Sequence, residues 1–118
     1  MKANELRIGN YVKGIGYNIS WLVEGIEKDY IYTSDHWRLL NCFEGIPTTK
    51  QELIELGFEY NEFEDMYQKN GYDVDIEDGL YCHFYMPEFG DWYQDTEYIH
   101  QLQNLYFALT GEELTYKC

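Results

Sequence analysis

Residues 66–86 read MYQKNGYDVDIEDGLYCHFYM, a stretch that contains two turn signals and one clear strand signal. Asn70-Gly71 is typical of a tight hairpin turn, because both residues tolerate the left-handed backbone that such a turn requires. Asp78-Gly79 predicts a second hairpin turn for the same reason. Residues 72–77 alternate apolar and acidic side chains with a period of two, so their acids share one face of a strand. We therefore expect three antiparallel strands with one packed face and one acidic face.

One helix is expected before these three strands in the sequence and a second helix after them. Thr48 or Thr49 can cap a short first helix, and Gly57 is a left-handed stop after its apolar positions. Asp95 or Thr96 is expected to cap a longer second helix, which is predicted to lie on the three-stranded sheet. The apolar residues of that helix recur at spacings of three and four, and they are Tyr98, Ile99, Leu102, Leu105, Tyr106 and Leu109, with Gly111 as its stop.

In the N-terminal part of the chain, the residue pattern predicts only short strands. We expect them at residues 6–12, 19–26, 30–33 and 37–43, separated by Gly, Asn and Asp. Strands this short favour a meander that curls into a small barrel, and the opening ELRIGNYVKG resembles the lead strand of SH3-like barrels. The expected fold class is thus α+β in a single compact domain of residues 1–118. Its parts are a β meander at 1–46 and an acidic part at 47–118 that contains both helices and the sheet.

Negative charge is concentrated in the second part of the chain. The net charge is −14 over 118 residues, yet residues 1–50 contain six acidic and six basic side chains. Residues 51–118 contain 16 acidic side chains against two basic ones. The hydrophobic content of 45% and the aromatic content of 19% indicate that this acid lies on a folded domain. Such a field disfavours direct binding of nucleic acid or acidic membranes and favours a basic protein partner. The alternative is acidity without any charge-directed partner.

Cysteine usage and hydropathy bear on the compartment. Cys42, Cys82 and Cys118 are an odd number in no metal-binding spacing, which indicates reduced thiols in a cytosolic compartment. No apolar run approaches the length that spans a bilayer, and the N-terminus has no apolar stretch typical of a signal peptide. We expect a cytoplasmic protein that does not contact a membrane.

Motifs for catalysis, metals and cofactors do not emerge from the residues. A calcium loop starting at Asp73 would have its glycine one position late, and Phe84 stands where the loop needs glutamate. The histidines at 36, 83 and 100 come from separate elements, and no glycine-rich phosphate loop is present in the sequence. We therefore expect no cofactor, no metal and no enzymatic activity.

Aromatic residues interleaved with carboxylates are the candidate contact groups. Tyrosine and tryptophan are enriched at interaction hot spots, and carboxylates beside them can pair with Arg and Lys. Residues 86–93 (MPEFGDWY) are expected to form a loop that carries both kinds of side chain. The predicted partner-binding residues are Glu62, Glu64, Asp65, Asp73, Asp75, Glu77, Glu88, Phe89, Asp91, Trp92 and Tyr93.

Three segments carry a resemblance that covers much of the chain. MKANELRIGNYV, IPTTKQELIELGFEY and HQLQNLYFALTGEEL resemble a family of small acidic proteins from phages, prophages and other mobile elements. The family is defined by sequence and brings no catalytic residues to this chain. Mobile-element origin implies a counter-defence inhibitor, such as an anti-CRISPR protein that occupies the basic nucleic-acid channel of an effector nuclease.

Two alternatives to this hypothesis stay open. One is an interaction module of the mobile element that uses the neutral N-terminal part around Trp21 and Trp37. The other is a small metal-dependent enzyme, which would require a stoichiometric metal and sensitivity to chelation.

Overall fold

The computed structural model describes residues 3–17, 19–34, 36–77, 81–85 and 93–116, and its fold class is α+β, as the sequence predicts. In chain order its strands are β1 Tyr11–Gly14, β2 Ser20–Leu22, β3 Gly25–Glu27, β4 Tyr30–Thr33, β5 His36–Leu39, β6 Phe43–Glu44, β7 Glu59–Asn61, β8 Met66–Lys69, β9 Tyr72–Glu77, β10 Tyr81–Tyr85 and β11 Tyr93–Thr96. Helix α1 spans Lys50–Glu55 and α2 spans Ile99–Thr110, with 3₁₀ turns at Ala3–Glu5 and Leu40–Cys42.

The chain divides into two compact units. The first combines Met1–Ile46 with Tyr98–Glu113, and the second combines Pro47–Glu97 with Leu114–Cys118. The first unit therefore contains β1–β6 and α2, while the second contains α1 and β7–β11.

Two small antiparallel sheets form the strand part of the first unit. One has the strand order β2-β1-β6 and the other β3-β4-β5. A shared cluster of buried side chains fills their core, with Trp21, Ile26 and Leu40 packed against it. The cluster consists of Leu6, Val12, Val23, Ile31 and Phe43.

The strand boundaries in this unit differ from those expected from the sequence. The first strand begins at Tyr11, because Ile8 and Gly9 form a turn and Gly9 has a φ of 102°. The expected strand 19–26 is two strands, β2 and β3, that belong to different sheets. The expected strand 37–43 ends at Leu39, where a 3₁₀ turn separates β5 from β6.

Helix α2 makes its polar contacts with the N-terminal segment of the first unit. The buried side chain of Gln103 accepts a hydrogen bond from Tyr11 N at 2.8 Å and donates one to Gly9 O at 3.0 Å. Asn10 Nδ2 donates to Asn104 Oδ1 at 2.8 Å. These amides satisfy backbone groups that would otherwise be buried without partners.

The start of α2 lies later than the sequence predicts. Asp95 and Thr96 do not cap it, because both belong to β11 and pair with β10. Tyr98 is the N-terminal cap residue, and its backbone N donates to the Gln101 side chain at 3.0 Å. The end of the helix agrees with the prediction, since Gly111 adopts a left-handed φ of 76°.

The second unit is built on one five-stranded antiparallel sheet. Its strand order is β11-β10-β9-β8-β7, so the three strands expected from residues 66–86 are its centre. Asn70 and Gly71 join β8 to β9 with φ values of 51° and 86°, the left-handed pair that the sequence predicts. Asp78 and Gly79 lie outside the described residues.

Short helix α1 also agrees with the sequence. The Thr49 side chain caps it and accepts a hydrogen bond from Glu52 N at 3.2 Å. Gly57 follows with a φ of 94°, and Leu53, Leu56 and Phe58 are buried. These three side chains contribute to the apolar interior of the second unit.

Candidate interaction surface

The register of the five-stranded sheet collects carboxylates on one face. Directly opposed residues in antiparallel strands share a face, and alternate residues of one strand do too. Asp73 of β9 is opposite Gln68 of β8, which is opposite Glu59 of β7. Three neighbouring strands therefore present a row of polar and acidic side chains.

A second row crosses the other half of the same face. Asp75 of β9 is opposite His83 of β10, and His83 is opposite Asp95 of β11. His83 Nδ1 is paired with the Asp95 carboxylate, whose side chain is 54% exposed. Asp75 and Asp95 thus flank one histidine. We call the side chains of Glu59, Gln68, Asp73, Asp75, His83 and Asp95 the acidic face.

Packing on the opposite face explains why these acids point outward. Val74 and Phe84 are fully buried, and Tyr67 and Tyr72 are nearly so. The Tyr72 and Phe84 rings stack with centroids 5.4 Å apart. Because β9 alternates strictly, burial of Val74 forces Asp73 and Asp75 to the other side.

A shallow groove of about 640 Å³ runs beside the acidic face. Glu59, Glu64 and Asp73 line it together with Lys69. Three carboxylates against one ammonium leave the groove negative, which suits an Arg or Lys side chain from another molecule.

The turn between β7 and β8 is held in one conformation by side-chain hydrogen bonds. Asn61 Oδ1 accepts from Phe63 N at 2.9 Å and from Glu64 N at 3.3 Å. Tyr60 donates its hydroxyl hydrogen to Asp65, which adopts a left-handed φ of 54°. We call residues 61–65 the Phe63 turn.

Further bonds connect this turn to the strands. Gln68 Nε2 donates to Glu64 Oε2 at 2.9 Å, and Asn61 Nδ2 donates to Gln68 Oε1 at 3.2 Å. Phe63 stands out of the turn and is 93% exposed. A second groove of about 460 Å³ lies between Phe63, Tyr60 and Glu62.

Electrostatics at the turn favour a neutral phenol. The hydrogen bond to Asp65 raises the pKa of Tyr60, with smaller contributions from desolvation and from the Asp65, Tyr67 and Glu62 charges. A tyrosine hydroxyl is protonated at physiological pH, so Tyr60 donates to the Asp65 carboxylate there, and the raised pKa extends this state to higher pH.

The structure brings only some of the predicted contact residues together. Glu62, Glu64 and Asp65 lie in the Phe63 turn, while Asp73 and Asp75 lie on the acidic face. Glu77 is the last residue of β9, and Tyr93 is the first residue of β11 instead of a loop residue, because it pairs with Tyr85. Glu88, Phe89, Asp91 and Trp92, like the rest of 86–92, lie outside the described residues.

Several residues of this surface were missed by sequence reasoning. Phe63 is not among the predicted contact residues, and its exposure has no clear signal in the sequence. Glu59 and Gln68 join the surface only through the strand order of the sheet. The sequence predicts Asp95 as a helix cap, and it joins the surface only because residues 93–96 pair with β10 as β11.

Charge also separates the two units, although less sharply than it separates the two parts of the sequence. The second unit has 14 acidic and three basic residues, a net charge of −11. The first has eight acidic and five basic residues, a net charge of −3. Among the described residues, no group of three or more His, Cys, Asp and Glu side chains is arranged to hold a metal ion.

Apolar side chains are exposed on the first unit as well. Ile15, Tyr17 and Ile19 are exposed around the turn between β1 and β2. Trp37 of β5 is 49% exposed and packs against Tyr32 with ring centroids 5.2 Å apart. This unit therefore also offers area for contact with another molecule.

Comparisons of the chain with protein-family models, with curated proteins and with solved structures find no match. The resemblance to proteins of mobile elements therefore stays a prediction. In the part of the chain that the structure describes, no helix is both long and apolar enough to cross a membrane.

Proposed function

We propose that the protein is a non-enzymatic binder of a basic protein surface, and that the acidic face and the Phe63 turn make the contact. The observation that carries this proposal is the register that gathers Glu59, Asp73, Asp75 and Asp95 on one face of the sheet. An extended array of carboxylates suits a broad surface lined with Arg and Lys.

Magnitudes indicate what such a face contributes. One exposed ion pair is worth about 0.2–1 kcal/mol, so pairs at Glu59, Glu64, Asp73 and Asp95 add about 1–4 kcal/mol together. A net charge of −11 on the second unit also steers a basic partner toward it and speeds association. We expect charge to act mainly on the association rate and on its dependence on salt.

The partner class that suits this face is a protein that handles nucleic acid. Proteins that handle nucleic acid line their channels with Lys and Arg to hold phosphates. A folded array of carboxylates competes for such a channel. Together with the resemblance to proteins of mobile elements, this supports a counter-defence inhibitor in the bacterial cytoplasm that blocks the channel of a CRISPR effector nuclease.

A second candidate is an interaction module that binds through the first unit. The observation in its favour is the exposed apolar area of that unit, where Tyr30, Trp37 and Leu39 lie on the same face of β4 and β5. Binding of this kind would depend on Trp37 and little on salt.

A matched pair of triple variants tests the proposal. Glu59→Gln, Glu64→Gln and Asp73→Asn remove three charges from the second unit, while Glu24→Gln, Glu27→Gln and Asp29→Asn remove three from the first. Both sets are measured against a panel of purified, guide-loaded CRISPR nucleases, by association kinetics at low and high salt and by cleavage of target nucleic acid.

The first triple is expected to slow association by about 10-fold or more at low salt and to relieve inhibition, with little effect of the second triple. Equal effects of the two triples would show that total charge and not the acidic face matters. Loss of binding in Trp37→Ala alone would favour the interaction module.

A further inference from the structure

Phe63 is presented to solvent in a way that a scattered surface residue is not. Single exposed apolar side chains are common and carry no meaning alone. Phe63, however, is 93% exposed at the tip of a turn whose backbone is fixed by Asn61 at two successive N–H groups. The ring therefore needs no reorganisation of its backbone before it makes a contact.

Several independent contacts fix the base of the same turn. The Tyr60 hydroxyl is bonded to Asp65, and the Tyr60 ring packs on Tyr67 with centroids 5.1 Å apart. Gln68 connects to both Asn61 and Glu64. Ordering a loop in advance lowers the entropic cost of binding, which is how rigid aromatic anchors gain affinity.

Carboxylates flank the ring on both sides in the chain. Glu62 and Glu64 are exposed, and the Gln68 amide holds the Glu64 carboxylate. A cavity that receives the ring must therefore also meet two negative charges at its rim.

From this combination we propose that Phe63 is a preformed anchor that inserts into an apolar pocket rimmed by Arg or Lys on the partner. The inference rests on the proposed binding of a basic partner and adds the shape of its contact surface. Aromatic anchors in desolvated pockets are typical interaction hot spots.

Other occupants fit the charges less well. A second copy of this chain carries a net charge of −14 and would bring like charges to Glu62 and Glu64. An anionic membrane surface repels the same pair. A pocket with a cationic rim satisfies the ring and both carboxylates together.

A synthetic host of the same chemistry tests the anchor in the intact protein. The probe is β-cyclodextrin with its primary hydroxyls replaced by ammonium groups, which offers an apolar cavity with a cationic rim. Unmodified β-cyclodextrin has the cavity alone, and an oligoarginine peptide has the charge alone. Binding is followed by calorimetry and by amide chemical shifts of residues 59–69.

Four variants separate the contributions of ring, charge and rigidity. We expect Phe63→Ala to weaken the ammonium host about 10- to 100-fold, the range that burial of one phenyl ring supplies. The double variant Glu62→Gln, Glu64→Gln is expected to bind the ammonium host no more tightly than it binds unmodified β-cyclodextrin. Asn61→Ala, which frees the turn, is expected to weaken both hosts severalfold. Ile54→Ala, an exposed apolar residue of α1, is the matched control and is expected to change nothing.

Unchanged host binding in Phe63→Ala, with amide spectra that show an intact fold, would overturn the proposal. Equal affinity of the ammonium host before and after removal of the two glutamates would overturn the cationic rim. Binding of the oligoarginine peptide distinguishes failure of the Phe63 anchor from failure of the proposed function. Its binding depends on Glu59 and Asp73 and is expected to survive Phe63→Ala.

Discussion

Val74→Ala and Asp73→Ala, neighbouring substitutions on β9, test whether the two faces of the sheet differ as the structure requires. Val74 is 0% exposed, and Asp73 is half-buried on the acidic face. Alanine at 74 removes two carbons from the interior, which costs about 1.6 kcal/mol at about 0.8 kcal/mol for each CH₂ group. The cavity left between Tyr67 and Phe84 brings the total to about 2–3 kcal/mol.

Alanine at 73 is expected to change the free energy of unfolding by less than about 0.5 kcal/mol, because it removes no buried contact and relieves repulsion from Asp75. Urea unfolding followed by circular dichroism measures both variants. With a slope of about 1–3 kcal/mol/M, Val74→Ala lowers the midpoint by about 1 M or more and Asp73→Ala leaves it nearly unchanged. Similar losses in the two variants would refute the assignment of a packed face and an acidic face.

Three further predictions concern stability elsewhere in the chain. Burial lowers the pKa of His100, against the opposing Glu5 charge, so its contribution is complete above about pH 6.5 and is lost as the pH falls toward its folded pKa. Wild type should therefore lose more stability than His100→Gln between pH 7 and about pH 5, measured by urea midpoints. Thr49→Ala should cost about 1 kcal/mol, because the α1 cap is lost. Gly45→Ala should cost about 1–3 kcal/mol in thermal unfolding, since a Cβ there would lie 2.6 Å from the Tyr98 ring.

Each of these predictions has a result that contradicts it. Parallel pH profiles of wild type and His100→Gln would mean that His100 titrates as in the unfolded chain. Thr49→Ser keeps the hydroxyl and is the control for Thr49→Ala, so equal losses in both would exclude the cap. A neutral Gly45→Ala would mean that the Tyr98 ring moves aside at no cost.

Local signals in the sequence were sufficient for the Asn70-Gly71 hairpin, for α1 and for the end of α2. Asn70-Gly71 predicts its turn because few residue pairs tolerate two successive left-handed positions. The end of α2 at Gly111 and the Thr49 cap of α1 depend likewise on the conformation of one or two residues. Their causes lie within a few positions of each other, so a single sequence reveals them.

Pairing between distant segments is what sequence reasoning could not supply. Residues 93–96 form β11 because they pair with the edge of β10. Neither Asp95 nor Thr96 by itself indicates that pairing. Leu22 and Gly25 lie close in sequence yet belong to strands of different sheets. Such boundaries are decided by tertiary packing, which overrides local strand preference.

The residues of the candidate surface likewise divide into those that a local pattern predicts and those that depend on strand pairing. The alternation in β9 was sufficient to place Asp73 and Asp75 on one face. Glu59 and Asp95 join them only through the five-strand order, which depends on pairings between separate segments. Exposure of Phe63 follows from the Asn61 hydrogen bonds that shape its turn, and many other sequences would bury the same ring.

Repulsion among the carboxylates of the acidic face lowers the stability of the free protein, and this cost distinguishes a binding role from a structural one. Like charges across neighbouring strands repel, and among the described residues of this surface Lys69 offsets only part of that repulsion. Glu59→Gln, Glu64→Gln and Asp73→Asn together are therefore expected to stabilise the free protein by up to about 1 kcal/mol at low salt, with the gain fading as salt screens the charges. The same triple variant is expected to bind its basic partner more weakly. If the carboxylates served the fold, stability and binding would fall together, and a combined measurement of unfolding and association on one variant decides between these outcomes.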